Sequence, residues 1–267
     1  MKIAGIDIGG TKISGAIIEN GIIISDIIKE QTPFCSKEII NIVFSIIEKL
    51  QKQTEISAIA IATAGAVNNE NSKVIGSTGN LPKDYPTIEF KKIFEEKFNL
   101  PTLIENDANA AAFAEYKVGA ARGSNISITT TLGTGVGGGI IVNGQILKGK
   151  SGAAGEIGHL MLGIKPERSC TCGQYNCFEA YASGTGFKKT IHELAQIRDE
   201  FKASILANKS PEELSTYDVI AGYKSNDEFC KIAYETWENE LIIGLTSLAN
   251  IFDPDNIVRL AMGKTTW

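Results

Sequence analysis

The chain has 267 residues, 43% of them hydrophobic and 21% charged, enough for a packed core in two modest domains or one large one. Its formal net charge of −5, with no basic patch of the kind that neutralises phosphates, argues against nucleic acid as an obligatory partner. The opening run Met1-Lys2-Ile3-Ala4-Gly5-Ile6-Asp7 meets an acid too early for a signal peptide, and no later stretch has the apolar length a bilayer needs. A cytoplasmic protein with no membrane partner is expected, its five cysteines reduced and better suited to a metal than to disulfides.

Residues 3–24 read strand, glycine turn, strand, Asn20-Gly21 turn, strand. Asn-Gly between apolar runs signals a tight hairpin, because both turn positions want positive φ. The first turn, Asp7-Ile8-Gly9-Gly10-Thr11-Lys12, brings an aspartate off a strand into a bend. Its backbone N–H groups and the Thr11 hydroxyl suit phosphate oxygens. Asp7 can hold Mg²⁺ directly or through water; Lys12 either assists the phosphates or forms a surface salt bridge. An ordinary glycine-bent hairpin explains this motif, taken alone, about equally well.

Residues 37–53 have helical spacing, with Ile39, Ile40, Val43, Ile46, Ile47 and Leu50 on one face. Residues 56–62 predict a buried strand ending at Thr63-Ala64-Gly65, and residues 88–98 a second helix. Leu103-Ile104 form a short strand, and the alanine-rich run 108–118 is a helix. Glu105-Asn106-Asp107 falls at that strand-to-helix junction. Asn or Asp there is by default an N-cap. The helix dipole and the carboxyl end of a strand also suit a carboxylate that accepts a hydroxyl proton. Asp107 is therefore expected to be a general base, with Asn106 positioning it.

Residues 126–147 repeat the first ribbon. Laid over one another, Gly10-Thr11 falls on Gly133-Thr134, Ile17-Ile18 on Ile140-Ile141, and Asn20-Gly21 on Asn143-Gly144. The duplication and the alternation of strands and helices predict an α/β fold of two lobes, 1–117 and 118–267. The run from Thr131 through Gly139 holds more glycine than a strand tolerates unless something approaches its backbone closely. A second phosphate-cradling turn, built from Gly133, Thr134, Gly135 and Gly137, would supply that. The pattern is not a P-loop, since no Gly-Lys-Ser/Thr opens a helix.

His159, Cys170, Cys172 and Cys177 form a donor set typical of tetrahedral, structural zinc. Such a metal would organise a loop that has little apolar content. Glu156 and Glu179 beside it suit paired hydrogen bonds to adjacent sugar hydroxyls, although solvation is the commoner fate of a single glutamate. Cys35 and Cys230 read as buried small hydrophobes, and His192 as a surface residue. Residues 186–252 are mostly helical, most clearly over 188–201 and 227–250. The stretch 204–216 reads as a surface connection with a short helix begun at Pro211.

Together these motifs resemble the ROK family (repressors, open reading frames and sugar kinases), which includes bacterial glucokinases, fructokinases and N-acetylhexosamine kinases. The resemblance is carried by the Asp-Ile-Gly-Gly-Thr-Lys opening, Glu105-Asn106-Asp107-Ala108-Asn109-Ala110, the Gly133 to Gly139 run, and Ala154-Gly155-Glu156-Ile157-Gly158-His159. Cys170-Thr171-Cys172-Gly173 with Cys177-Phe178-Glu179 completes it.

It implies an actin-like ATPase (ribonuclease H-like) fold, with ATP and Mg²⁺ between two lobes, sugar deep in the cleft, and Asp107 deprotonating a hexose hydroxyl. Glucose going to glucose 6-phosphate is the first reaction it suggests. Gly65, Asn80, Asn106, Glu156, His159 and Glu179 match sugar-site positions, and Asp7, Gly9, Gly10, Thr11 and Lys12 the phosphate turn. A homodimer is implied as well. Ala64 stands where the family usually has proline, and Asn176 where it usually has glycine. Of the family's multi-glycine loop near adenosine only Gly263 is present, so the end reads as shortened, and an inactive sugar-binding remnant is one alternative. A sugar-responsive repressor is the other. Repressors of the family carry an N-terminal helix-turn-helix, whereas this chain opens on the phosphate hairpin.

Overall fold

The alternating strand and helix signals form two sheets in the computed structural model of the protein, which describes residues 1–76 and 81–261. Asn80 and Gly263, both singled out above, lie outside the described residues. In chain order the elements are β1 (Lys2–Ile8), β2 (Lys12–Glu19), β3 (Ile22–Ile23), β4 (Ile28–Gln31), α1 (Ser36–Gln51), β5 (Ala58–Thr63), α2 (Phe90–Phe98), β6 (Thr102–Asn106) and α3 (Asp107–Val118). Then come β7 (Ile126–Leu132), β8 (Val136–Val142), β9 (Gln145–Ile146), α4 (Glu179–Ala182), α5 (Gly184–Ile197), α6 (Glu200–Ala203), α7 (Thr216–Lys224), α8 (Glu228–Phe252) and β10 (Asn256–Ala261).

The first sheet runs β3-β2-β1-β5-β6, with β4 also paired to β2; the second runs β10-β7-β8-β9. Both Asn-Gly turns adopt the positive φ their sequence demands, with Asn20 and Gly21 at 51° and 79° and Asn143 and Gly144 at 50° and 79°. The repeat extends beyond the ribbons. Each first strand takes a parallel neighbour on its other edge, β5 beside β1 and β10 beside β7. The chain divides into two compact units, Met1–Gly123 with Gly139–Gly155, and Ser124–Gly138 with the described residues from Glu156 onward.

In the first unit α1 buries Ile39, Val43, Ile46, Ile47 and Leu50, the stripe expected from its spacing. They pack with Ile6, Ile8, Ile13 and Ile61 of the sheet and with Phe90 and Phe94 of α2. In the second unit the fully buried Phe178, Tyr181, Phe187, Phe229 and Trp237 form the centre, and the Trp237 indole donates to the Ala182 carbonyl at 3.0 Å. Gly244 lets α8 lie directly on the Phe178 ring, where any side chain would collide. The large core aromatics of this unit thus flank the segment that ends the cysteine loop.

Several sequence expectations need adjustment. Residues 188–201 do not form one helix: α5 ends at Ile197, Arg198 is extended, and α6 starts at Glu200. Strand β4 was not foreseen, because Ile-Lys-Glu-Gln carries no apolar alternation and forms by pairing with β2. Cys230 is buried, but Cys35 is exposed, since it stands at the N-cap of α1 next to an exposed Phe34. His192 is half-buried, with Nε2 3.1 Å from the Leu214 carbonyl oxygen. No described helix is long and apolar enough to cross a membrane.

Candidate active site

The first unit supplies a phosphate-type turn and a strand-to-helix junction. Between β1 and β2 the Gly9 N–H donates to the Lys12 carbonyl at 3.0 Å, and the Thr32 hydroxyl donates to the Gly9 carbonyl at 2.6 Å. The bend is therefore held at its backbone carbonyls, and the Thr11 and Lys12 side chains are exposed. Asp7, the penultimate residue of β1, has its carboxyl pushed above the ordinary range by surrounding protein, with the Lys12 ammonium opposing that shift.

At the second element of this unit, Asn106 caps α3 in extended conformation, its Oδ1 accepting the Asn109 N–H at 3.0 Å. Its Nδ2 donates to the Gly65 carbonyl at 3.1 Å. Asp107 is the first helical residue, and its Oδ1 accepts the Ala108 N–H at 2.8 Å. Gly65, at φ +98°, could carry no side chain, because a Cβ would strike the Gly76 carbonyl. Gly65, Asn106 and Asp107 are thus one constructed corner.

Gly139, the last of three consecutive glycines in β8, has a partner in its own unit. A Cβ on Gly139 would collide with Ala112 and with the Ala108 carbonyl of α3. At Gly139 the close approach that so much glycine calls for is therefore made by a helix. Gly133 to Gly135 are a different matter, since they form the bend itself.

In the second unit the Gly133 N–H donates to the Gly135 carbonyl at 3.0 Å across this bend. The start of α5 backs it, with the Gly184 N–H donating to the Gly133 carbonyl at 2.8 Å and the Thr185 hydroxyl to the Thr134 carbonyl at 2.8 Å. Glu179 is seated beneath it. Its Oε2 accepts the Val136 N–H at 3.0 Å, and a side chain on Gly135 would strike that carboxylate. The other oxygen, Oε1, accepts from the Thr171 hydroxyl at 3.4 Å. Glu156 is exposed, yet surrounding protein raises its carboxyl above the usual range, with His159 opposing and Glu179 reinforcing the shift.

His159, Cys170, Cys172 and Cys177 offer four donor atoms that all lie within 4.8 Å of one another. His159 Nδ1 is 3.6 Å from Cys170 Sγ, and Cys172 Sγ is 3.6 Å from Cys177 Sγ. Donors on a tetrahedron around Zn²⁺, at about 2.3 Å for sulfur and about 2.0 Å for nitrogen, stand roughly 3.5–3.8 Å apart. The donor chemistry fits such an ion, and so do these two separations. With Nδ1 turned to the sulfurs, His159 Nε2 is left for another partner.

The base of this loop is braced without any metal. Arg168, 2% exposed, donates through Nη2 to Thr190 at 2.9 Å and to Glu193 at 2.7 Å. Nη1 reaches the Ala180 and Gly186 carbonyls at 3.3 and 3.4 Å, and the guanidinium lies 4.7 Å over the Tyr181 ring. Tyr181 Oη donates to Asn176 Oδ1 at 2.6 Å, and Asn176 adopts φ +62°, which explains why asparagine stands in for a glycine there. Nothing in the sequence marked Arg168, because an arginine two residues before a cysteine has no fixed meaning.

Glu240 completes the brace from α8, 7% exposed and accepting from Thr190 at 3.4 Å. Burial raises its carboxyl from the ordinary 4.5 to about 7, against the pull of Arg168. The folded state therefore holds that proton more tightly than the unfolded chain. Its contribution to stability is complete below pH 4.5 and is lost as pH rises through about 7. At about 1.4 kcal/mol per pKa unit, the ionised group costs up to about 3 kcal/mol above that range. Glu240→Gln should accordingly raise the unfolding midpoint at pH 8 by several degrees more than at pH 5, as thermal melts would show.

Comparison with known proteins bears on these arrangements. A sequence profile of the ROK family matches residues 3–261. Glucokinase of Streptomyces coelicolor is 34% identical over 95% of this chain and 80% of its own length. A xylose repressor of Bacillus spizizenii is 31% identical over 95% of this chain and 62% of its own. Among solved structures, a ROK family glucokinase from Streptomyces griseus in complex with glucose and AMPPNP superposes with a TM-score of 0.79 and 30% identity, covering 98% of this chain and 83% of that one. The mixed α/β architecture described above is thus the actin-like ATPase fold of these sugar kinases. By profile, sequence and fold alike, the chain belongs to the ROK family.

Proposed function

We propose that the chain transfers the γ-phosphoryl group of ATP to a hydroxyl of a hexose, with glucose giving glucose 6-phosphate as the leading case. The observation that carries this is the corner of Gly65, Asn106 and Asp107, where a carboxylate opens a helix at the carboxyl end of a parallel strand. Resemblance to a glucokinase bound to glucose and AMPPNP supports the same reading.

In this reading Asp107 accepts the proton of the attacking hydroxyl. The hydroxyl oxygen bonds to the γ-phosphorus as the bond to the bridging oxygen breaks, releasing ADP. Gly9, Gly10, Thr11 and Lys12, together with Gly133, Thr134, Gly135 and Gly137, are assigned to the nucleotide phosphates. Bound Mg²⁺ would neutralise phosphoryl charge, and the Asp7 carboxylate is the hard oxygen donor that would hold it.

Asn80, Glu156, Glu179 and His159 Nε2 are assigned to sugar hydroxyls. Zinc at His159, Cys170, Cys172 and Cys177 would have four protein ligands, hence a structural role. A cytoplasmic homodimer is the setting the family suggests. Coupled assay of ADP release over a hexose panel tests the activity, and a chain that binds hexose but never releases ADP would sink it. Similarity to a xylose repressor favours one second reading, a sugar-responsive regulator. Hexose binding that alters DNA affinity, without turnover, would support it.

A further inference from the structure

We propose that Lys148 and Glu105 form a positioning pair that fixes the turn bearing Asp107. The inference rests on the kinase reading only in assuming that Asp107 acts on substrate. Glu105 belongs to the Glu-Asn-Asp motif, yet it has no role in the transfer step assigned above. Its carboxylate is fully engaged. Oε1 accepts the Asn106 backbone N–H at 2.9 Å and the Asn109 side-chain amide at 3.2 Å. Oε2 accepts the Asn71 amide at 2.9 Å and the Lys148 ammonium at 2.6 Å. With four donors on two oxygens, no acceptor position remains for a sugar hydroxyl. The work of this residue is internal to the unit.

Lys148 lies just after β9, on a segment tied to the same region at further points. Its Nζ also donates to Asn71 Oδ1 at 2.7 Å, while Asn71 Nδ2 donates to the Ile104 carbonyl at 2.6 Å. Asn69 Nδ2 donates to the Gly149 and Lys150 carbonyls at 3.2 and 2.9 Å. Asn71 holds φ +52°, a conformation asparagine tolerates. The pair is mostly shielded, with 19% and 16% of the two side chains exposed, so water screens it less than a surface ion pair.

The geometric consequence is specific. Glu105 holds the residue before Asp107 by its N–H and the residue two after it by its side chain. Asn106 in turn is held by Gly65 and Asn109. If the ammonium is lost, the Glu105 carboxylate has a charge without its counter-ion and swings toward water, releasing Asn106 and Asn109. A misplacement of about 1 Å in a proton acceptor costs on the order of 10²-fold in rate. Sugar affinity would change little, because the Glu105 carboxylate has no acceptor position left for a sugar and the Lys148 ammonium is turned to Glu105 and Asn71.

The test uses Lys148→Met, Glu105→Gln, their double variant and Lys148→Arg in the full chain. Each of the first two should lower kcat by about 10–100-fold with the hexose KM within about threefold. The double should be no worse than the worse single, since both break one interaction. Lys148→Arg should recover at least half of the lost rate. Unchanged kcat per folded molecule in Lys148→Met would overturn the pair and leave it as a structural contact. If the wild-type chain turns over no hexose, the kinase reading fails separately. The pair is then judged by amide hydrogen exchange, which should quicken at least about fivefold over residues 105–109 in Lys148→Met and overturns the pair if it does not.

Discussion

Asp107→Asn should lower kcat by roughly 10²–10⁴-fold while leaving hexose affinity within a few-fold of wild type. The substitution keeps size and the first helical position, and an amide oxygen can still accept the Ala108 N–H as Oδ1 does now. What it removes is the ability to take up a proton. The effect should therefore fall on the chemical step, read as kcat with an unchanged sugar dissociation constant by calorimetry. Asn106→Ala differs in kind: it removes an N-cap and the bond to Gly65, so it should lower thermal stability by about 1 kcal/mol as well as rate. Near-wild-type turnover in Asp107→Asn would place the proton acceptor elsewhere.

Cys172→Ser should abolish stoichiometric metal, falling from near one ion per chain toward zero by elemental analysis, and raise the hexose KM about tenfold or more. Serine oxygen is a poor match for a soft thiolate site, and three remaining donors leave the set open. His159 would lose the partner that fixes its ring, and with it the orientation of Nε2. Chelation of wild-type protein should reproduce the KM change and be reversed by added zinc. Because Arg168, Tyr181 and Asn176 already hold the base of the loop, the melting temperature should fall by only a few degrees. Full metal content in Cys172→Ser would reject the ligand set.

How much was legible in the sequence depends on which forces are local. Both ribbons could be read because Asn-Gly turns and alternating apolar residues act over a few positions, and their dihedrals agree. The α1 stripe was equally plain. The gathering of His159, Cys170, Cys172 and Cys177 into a group that could hold a metal was readable from residue type, since soft ligands cluster for few other reasons. The pairing of Glu105 with Lys148 was not, because they stand 43 positions apart and Lys148 looks like a solvated charge in sequence. Arg168 and Glu240 escaped for the same reason: a charge buried by α5 and α8 is visible only once those helices have packed. Gly139 was misread in part, since glycine in a strand announces a close neighbour without saying whether it is a ligand or a helix.

The braced base of the cysteine loop has one more consequence. With Arg168, Asn176 and Tyr181 locked at its base, the loop pairs the backbone of Gln174 with Cys170 and of Tyr175 with Ser169, while the side chains of Gln174 and Tyr175 lie exposed. Their spelling can drift across generations at almost no cost in folding, while Gly173, held at φ +86°, cannot. Kindred chains should therefore diverge most at that small crest and least in the buried arginine under it.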